Sequence, residues 1–177
     1  MSSRLDKVVV VKIGGATLGG NDTVVEDIVY LQRQGMPLVI VHGGGNLVSE
    51  RLTKRRISTR FFEGERITDE ATLEVVTAVL AGLVNKEIVA TINGLGGQAV
   101  GISGADGALI QGRIKDKEMG YVGAVVKVNT ALLLALIKSS FVPIVAPLGL
   151  HSVDKPDTAP LMLNINGDTV AGEIAAA

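Results

Sequence analysis

Two short apolar runs in this chain each end on glycine. "KVVVVKI" (7–13) is followed by "GG", and "PLVIV" (37–41) by "HGGG". Both runs are continuous rather than alternating, the pattern of a strand covered on both faces. Between them, 23–35 reads as a helix. Val24, Val25, Ile28 and Leu31 share one face, Asn21 or Asp22 can cap it, and Gly35 can end it. Covered strands joined through helices predict an α/β fold: a mainly parallel sheet flanked by helices on both faces.

The rest of the chain continues the alternation. Helical patterns occupy 46–55, 68–94 and 130–140, with Thr68 and Asn129 as the expected N-caps of the last two. Gly82, inside the long 68–94 helix, suggests close packing against another element. Strands are expected at 97–103, 141–147 and 160–166, and 108–114 with 121–128 reads as an antiparallel pair. A last helix begins at about Asp168 and is short enough to be marginal alone.

The core must be aliphatic, because 47% of the 177 residues are apolar and only 3% aromatic. A net charge of −1 with mixed signs offers no electrostatic footprint for nucleic acid or a membrane surface. Cysteine is absent, which excludes disulfides and thiolate chemistry, and two histidines are too few for a His-rich metal site. No metal site is expected. The longest unbroken apolar stretches are short, so no membrane span is expected and the chain reads as cytoplasmic.

Ligands of parallel α/β sheets bind beyond the carboxyl ends of the strands. Both glycine clusters, 14–20 and 42–45, fall there, as does "NING" (164–167). Either the glycines only permit tight turns, or their bare N–H groups cradle an anion at a helix start. Known codes do not fit. Gly20 and Asn21 stand where a P-loop needs Lys and Ser/Thr, and Val48 replaces the third glycine of a dinucleotide fingerprint. An esterase-type reading of "HGGG" lacks its nucleophile elbow, since "GISGA" (101–105) ends in Ala105. Lys12 closes the first strand, so its ammonium reaches either water or an anion held by the glycines. His42 reads as a packed imidazole, and 51–56 as a solvated basic face.

"VVVVKIGGATL", "LVIVHGGGNLVSERL", "GERITDEATLEVVTAVLAGLVNKEIVATIN", "GISGADGALI", "GYVGAVVKVN" and "LMLNINGDTVAGEIAAA" follow one another in an order that resembles the amino-acid kinase family. The resemblance covers nearly the whole chain and narrows to kinases of acylated amino-acid carboxylates. It implies an α/β/α sandwich and ATP-dependent phosphorylation, with Mg2+, of a side-chain carboxylate, N-acetyl-L-glutamate being the first candidate. A carrier-linked aminoadipate or glutamate, or a non-catalytic binding module of the same fold, are the alternatives.

By the same resemblance, Lys12 stabilises the phosphoryl group in flight and Asp168 orients catalytic lysines. Gly14 and Gly15 lie along the nucleotide phosphates. Gly44 and Gly45 hold the accepting carboxylate and the moving phosphoryl, Arg66 grips the α-carboxylate, and Asn164 binds the N-acyl amino acid. On the residues alone, Arg66 could be a solvated arginine, Asn164 could bond a neighbouring turn, and Asp168 could be the N-cap of the last helix. An ionised carboxylate attacks phosphorus without a general base, which matches the lack of a Ser–His or Cys–His pair. Family members are longer. The chain is therefore expected to be one α/β domain over 1–177, the amino-acid-binding part plus the first helix of the ATP-binding part, with the C-terminal nucleotide-binding half missing. Its first strand starts by about Lys7, leaving no room for the extra N-terminal helix of arginine-regulated members. The resemblance thus points to an unregulated homodimer with the 68–94 helix as its contact face.

Overall fold

The computed structural model describes residues 8–14 and 23–177. Its elements are β1 (Val9–Ile13), α1 (Val24–Arg33), β2 (Leu38–His42), α2 (Gly45–Lys54), β3 (Phe61–Phe62), β4 (Glu65–Arg66) and α3 (Glu70–Gly94). They continue with β5 (Ala99–Ser103), β6 (Ile110–Ile114), β7 (Gly123–Val128), α4 (Ala131–Lys138), β8 (Val142–Ala146), β9 (Leu148–His151), β10 (Met162–Asn164) and α5 (Gly167–Ala176).

Four strands form a wholly parallel sheet in the order β1-β2-β8-β5. Every residue of β2 is buried, as its unbroken apolar run requires. Alternation along the strand separates two cores. Leu38 and Ile40 join Ile28, Leu52, Val79 and Ile92 from α1, α2 and α3. Val39 and Val41 join Leu133, Ile137, Val170 and Ile174 from α4 and α5. The sheet is thus covered on both faces, as the sequence predicts.

The same period of two orients Lys12. Val8 and Val10 pack with the α4–α5 core, while Ile13 belongs to the other. Lys12 therefore shares its face of β1 with Val10 and emerges on the side of α5.

A second sheet, in the order β10-β9-β6-β7, carries the expected antiparallel β6–β7 pair, with a register shift between Gln111 and Gly112. The strand expected at 160–166 is β10, which pairs antiparallel with β9 in this sheet. β9 and the small β3–β4 hairpin have no forerunner in the sequence reading.

Helix ends bring corrections. Asn21 and Asp22, the expected caps of α1, lie outside the described residues. Gly35 does close it, at φ 80° with its amide on the Gln32 carbonyl. The N-cap of α3 is Asp69, which accepts from the Thr72 amide at 2.8 Å, not Thr68. Thr68 is fully buried and committed elsewhere: its amide donates to Met119 O and its hydroxyl to Arg66 O. Asn129 Oδ1 accepts from the Ala131 amide at 3.3 Å, so it serves α4 as expected, one residue ahead of Thr130 at the helix boundary.

α3 contains a π-helical stretch, Ala78–Val84. Gly82 lies within it and is exposed, and a Cβ placed there would meet nothing within 4 Å. Close packing is therefore not its role. By length (25 residues) and the mean hydropathy of an 18-residue window (1.7), α3 could cross a bilayer, which a search for unbroken apolar runs does not detect. Here it packs along the sheet, with Val76, Leu80, Val84, Ile88 and Ile92 in the core.

Candidate active site

β1 and β2 are in parallel register, so their carboxyl ends stand side by side, Ile13 opposite His42. The Gly43 amide donates back to Ile13 O at 2.9 Å. The chain then turns at Gly44 (φ 155°, ψ 16°) and enters α2. Only glycine fits this turn: a Cβ on Gly44 would lie 2.7 Å from Leu80 Cδ2 and 3.1 Å from Val84 Cγ2. Gly45 differs, because a Cβ there would meet nothing within 4 Å. Among the described residues, neither the Gly44 nor the Gly45 amide has a hydrogen-bond acceptor.

A second helix start converges on the same place. Asn166 caps α5 by accepting from the amides of Asp168 (2.8 Å) and Thr169 (3.2 Å). That assignment corrects the N-cap alternative for Asp168 and leaves its carboxylate free to meet Lys12 Nζ at 3.0 Å. The Lys12 stem runs beside Gly167, whose added Cβ would lie 3.8 Å from Lys12 Cε. With side chains 33% and 72% exposed, the Lys12–Asp168 pair contributes little to stability. Its consequence is orientation of the ammonium.

A cavity of about 230 Å³ opens between these helix starts. Lys12, Gly44, Gly45, Arg66, Asn164 and Asp168 all line it. Six of the eight residues singled out in the sequence are therefore brought together. Gly14 directly follows β1 but does not line this cavity, and Gly15 lies outside the described residues.

Arg66 is the most informative side chain. The residue is only 7% exposed, which corrects the solvated-arginine alternative. Nη2 donates to Gly45 O (3.0 Å) and Ser49 Oγ (2.8 Å), and the guanidinium lies 4.7 Å over the Phe61 ring. Nη1 is buried with no partner, and no described carboxylate pairs with this charge. Burial pushes its pKa down, yet an arginine keeps its proton throughout the physiological range. A buried cation with a spare donor calls for an anion. Glu65, its neighbour, is already paired with Lys115 at 2.8 Å.

Asn164 donates to Thr68 Oγ1 at 3.0 Å, and Thr68 in turn donates to Arg66 O. The amide thus bonds a neighbouring segment and lines the cavity at once. Two helix N-termini, an ammonium and a guanidinium give the cavity a positive field suited to anions. Among the described residues, no group of three His, Asp or Glu side chains could hold a metal ion.

Sequence reasoning missed Ser49, Thr68 and Phe61 as supports of Arg66. It also missed a buried pair, His42 and Asn85, both 0% exposed. His42 Nδ1 lies 2.8 Å from Gly43 O, and Nε2 lies 3.2 Å from Asn85 Nδ2. Burial chiefly holds the His42 pKa below its ordinary value. The bond to Gly43 opposes this, and the Lys86 charge adds to it. An asparagine amid the apolar residues of α3 was the available signal.

An open α/β sheet with a glycine turn and two helix starts at a cationic cavity defines a fold and site suited to anionic ligands. The chain belongs to the amino acid kinase family, whose model matches residues 7–177. It is 48% identical over 177 residues to a protein of Dehalococcoides mccartyi (strain CBDB1) named acetylglutamate kinase, covering all of this chain and 65% of that protein. A Ruegeria sp. (strain TM1040) protein of the same name is 43% identical over 175 residues, 97% of this chain and 59% of the relative. The chain thus spans about three-fifths of the length of the relatives it matches. The crystal structure of smu.665 from Streptococcus mutans UA159 superposes with a TM-score of 0.86 at 27% identity, covering 97% of this chain and 68% of that one.

Proposed function

We propose that the cavity binds N-acetyl-L-glutamate and that this chain is the amino-acid side of a cytoplasmic, homodimeric enzyme that phosphorylates the γ-carboxylate with ATP and Mg2+. On this reading residues 1–177 form one domain, and the product is an acyl phosphate of arginine biosynthesis. The observation that carries the reading is the buried, carboxylate-free Arg66 with its unpartnered Nη1. The names of the relatives support the substrate.

Roles follow from charge. Arg66 presents its free donor to the α-carboxylate, and Asn164 hydrogen-bonds the N-acyl amino-acid part. The Gly44 and Gly45 amides hold the γ-carboxylate and the transferring group. One γ-carboxylate oxygen bonds to the terminal phosphorus of ATP, the bond from that phosphorus to the bridging oxygen breaks, and ADP leaves. No proton transfer is required, because the attacking carboxylate is already ionised. Lys12, steered by Asp168, neutralises charge spread over the phosphoryl oxygens. Gly14 and Gly15 are assigned to the nucleotide phosphates. Mg2+ is held largely by nucleotide phosphates in such reactions. The two cavity-lining acids, Asp168 and Glu65, are already engaged with Lys12 and Lys115 and are not a metal cage, and no step is assigned to the ion here.

Calorimetric titration with N-acetyl-L-glutamate, L-glutamate and N-acetyl-L-aspartate, run beside acyl-phosphate trapping as hydroxamate, tests this. Selective binding of N-acetyl-L-glutamate with hydroxamate formation is expected. Absence of binding overturns the proposal, and binding without product reduces it to a binding module.

A further inference from the structure

The turn that carries the Gly44 amide is a run of three glycines, the least self-restraining backbone available. Something must hold it. Gly43 is pinned through both of the peptide units that flank its Cα. Its amide donates to Ile13 O, and its carbonyl lies 2.8 Å from His42 Nδ1. A carbonyl oxygen only accepts, so Nδ1 carries the proton. Nε2 must then be bare, and it faces the Asn85 amide nitrogen at 3.2 Å.

The orientation of Asn85 is equally determined. Its nitrogen also lies 2.8 Å from Ile144 O and 3.3 Å from Ile102 O, so it is the donor end. Its oxygen accepts from Lys86 Nζ at 2.9 Å, and the same ammonium donates to Gly101 O. Gly101 leaves room for this arrangement: a Cβ there would lie 2.0 Å from Asn85 Oδ1. Strands β5 and β8 therefore anchor Asn85, Asn85 selects the His42 tautomer, and His42 holds the Gly43 carbonyl.

A trans peptide points its C=O and its N–H in opposite directions, and the described chain contains no cis bond. Fixing the Gly43 carbonyl on the buried imidazole therefore aims the next amide, that of Gly44, away from it. Gly44 lines the cavity. We propose that His42 and Asn85 are positioning residues that hold the Gly43–Gly44 peptide plane so that the Gly44 N–H faces the bound anion. Neither touches the ligand; they act through the backbone. The π-helical stretch of α3 serves the same turn, since Leu80 and Val84 abut Gly44 and Asn85 follows directly. The inference deepens the proposed function, on which the identity of the anion depends.

The test has a ligand-free arm and a ligand arm. In 15N spectra of the 177-residue chain, His42 should show a protonated Nδ1 and a bare Nε2. Residual dipolar couplings of the Gly44 N–H should be preserved in His42→Asn, which keeps a donor at the Nδ1 position, and altered in His42→Leu. An Nε2–H tautomer, or a Gly44 vector unchanged in His42→Leu, overturns the proposal whether or not any ligand binds. In the ligand arm, N-acetyl-L-glutamate affinity should fall about tenfold or more in folded His42→Leu and be recovered to within about threefold in His42→Asn. Equal affinity of the two variants overturns the proposal. If the wild-type chain binds no N-acetyl-L-glutamate while both ligand-free results hold, only the substrate reading fails.

Discussion

Arg66 donates from Nη2 to the Gly45 carbonyl at 3.0 Å, joining the β3–β4 hairpin to the start of α2. One end of the guanidinium therefore fixes the glycine turn, while Nη1 remains without a partner. A planar fork can do both at once, and an ammonium cannot.

Arg66→Lys should keep the positive charge yet weaken N-acetyl-L-glutamate binding by about 10- to 100-fold, the scale of one or two charge-assisted hydrogen bonds. Titration calorimetry would read this. Affinity equal to wild type would remove Arg66 from the site.

Lys12→Met should separate binding from chemistry. Lys12 is proposed to meet the phosphoryl oxygens and not the amino acid, so affinity for N-acetyl-L-glutamate should stay within a few-fold of wild type. In an active enzyme containing this chain, hydroxamate formation should drop by about 10²–10³-fold, as when one preorganised transition-state donor is lost. Asp168→Asn should act in the same direction and more weakly, because it loosens the ammonium without removing it.

The sheet and most helices were legible because their burial is written in periodicity. β2 is a continuous apolar run buried on both faces, and α1 shows its stripe. Lys12 and Gly44 stood out because a charge at the end of such a run and a glycine cluster are rare in a plain core. β9 was not legible: "LGLH" is four residues long and follows β8 after one residue, so no turn signal separates them. The π-helical stretch left no local mark either, since Ala78–Val84 is compatible with either winding. The His42–Asn85 bond joins residues 43 apart in sequence; an asparagine amid apolar residues hints at a buried partner, but nothing local says that the partner is His42. Thr68 was misread as a cap for the same reason, its partners Met119 and Asn164 being distant.

The two glycines of the second turn should respond in opposite ways to alanine. Gly44→Ala places a methyl group 2.7 Å from Leu80 Cδ2 at a φ of 155°, so it should lower unfolding stability by about 1–3 kcal/mol. Gly45→Ala meets no protein atom within 4 Å and adds helix propensity, so stability should hold or rise. Its methyl group lies at the cavity lining, and N-acetyl-L-glutamate affinity should drop. Chemical denaturation and calorimetry on the two variants would check the contrast. Equal destabilisation would contradict the packing of Gly44 against α3.

The buried His42 also gives stability a pH dependence of known sign. Its folded pKa lies below its ordinary value of 6.5, chiefly through burial, with the Lys86 charge a smaller contributor. As pH falls below about 6.5, the unfolded chain takes up a proton that the folded chain refuses. The His42 contribution is therefore complete above that pH. It declines as pH falls toward the folded pKa and levels off beneath it. Asp69, whose pKa is lowered by its bonds to Thr72, acts in a more acidic window, below its ordinary 3.8. Urea denaturation at pH 7.5 and 5.5, compared between wild type and His42→Asn, should show a smaller loss in the variant. His151 is common to both chains, so the difference between them belongs to His42. Equal losses would mean that His42 accepts a proton in the folded state as readily as in the unfolded one, which the burial of its ring opposes.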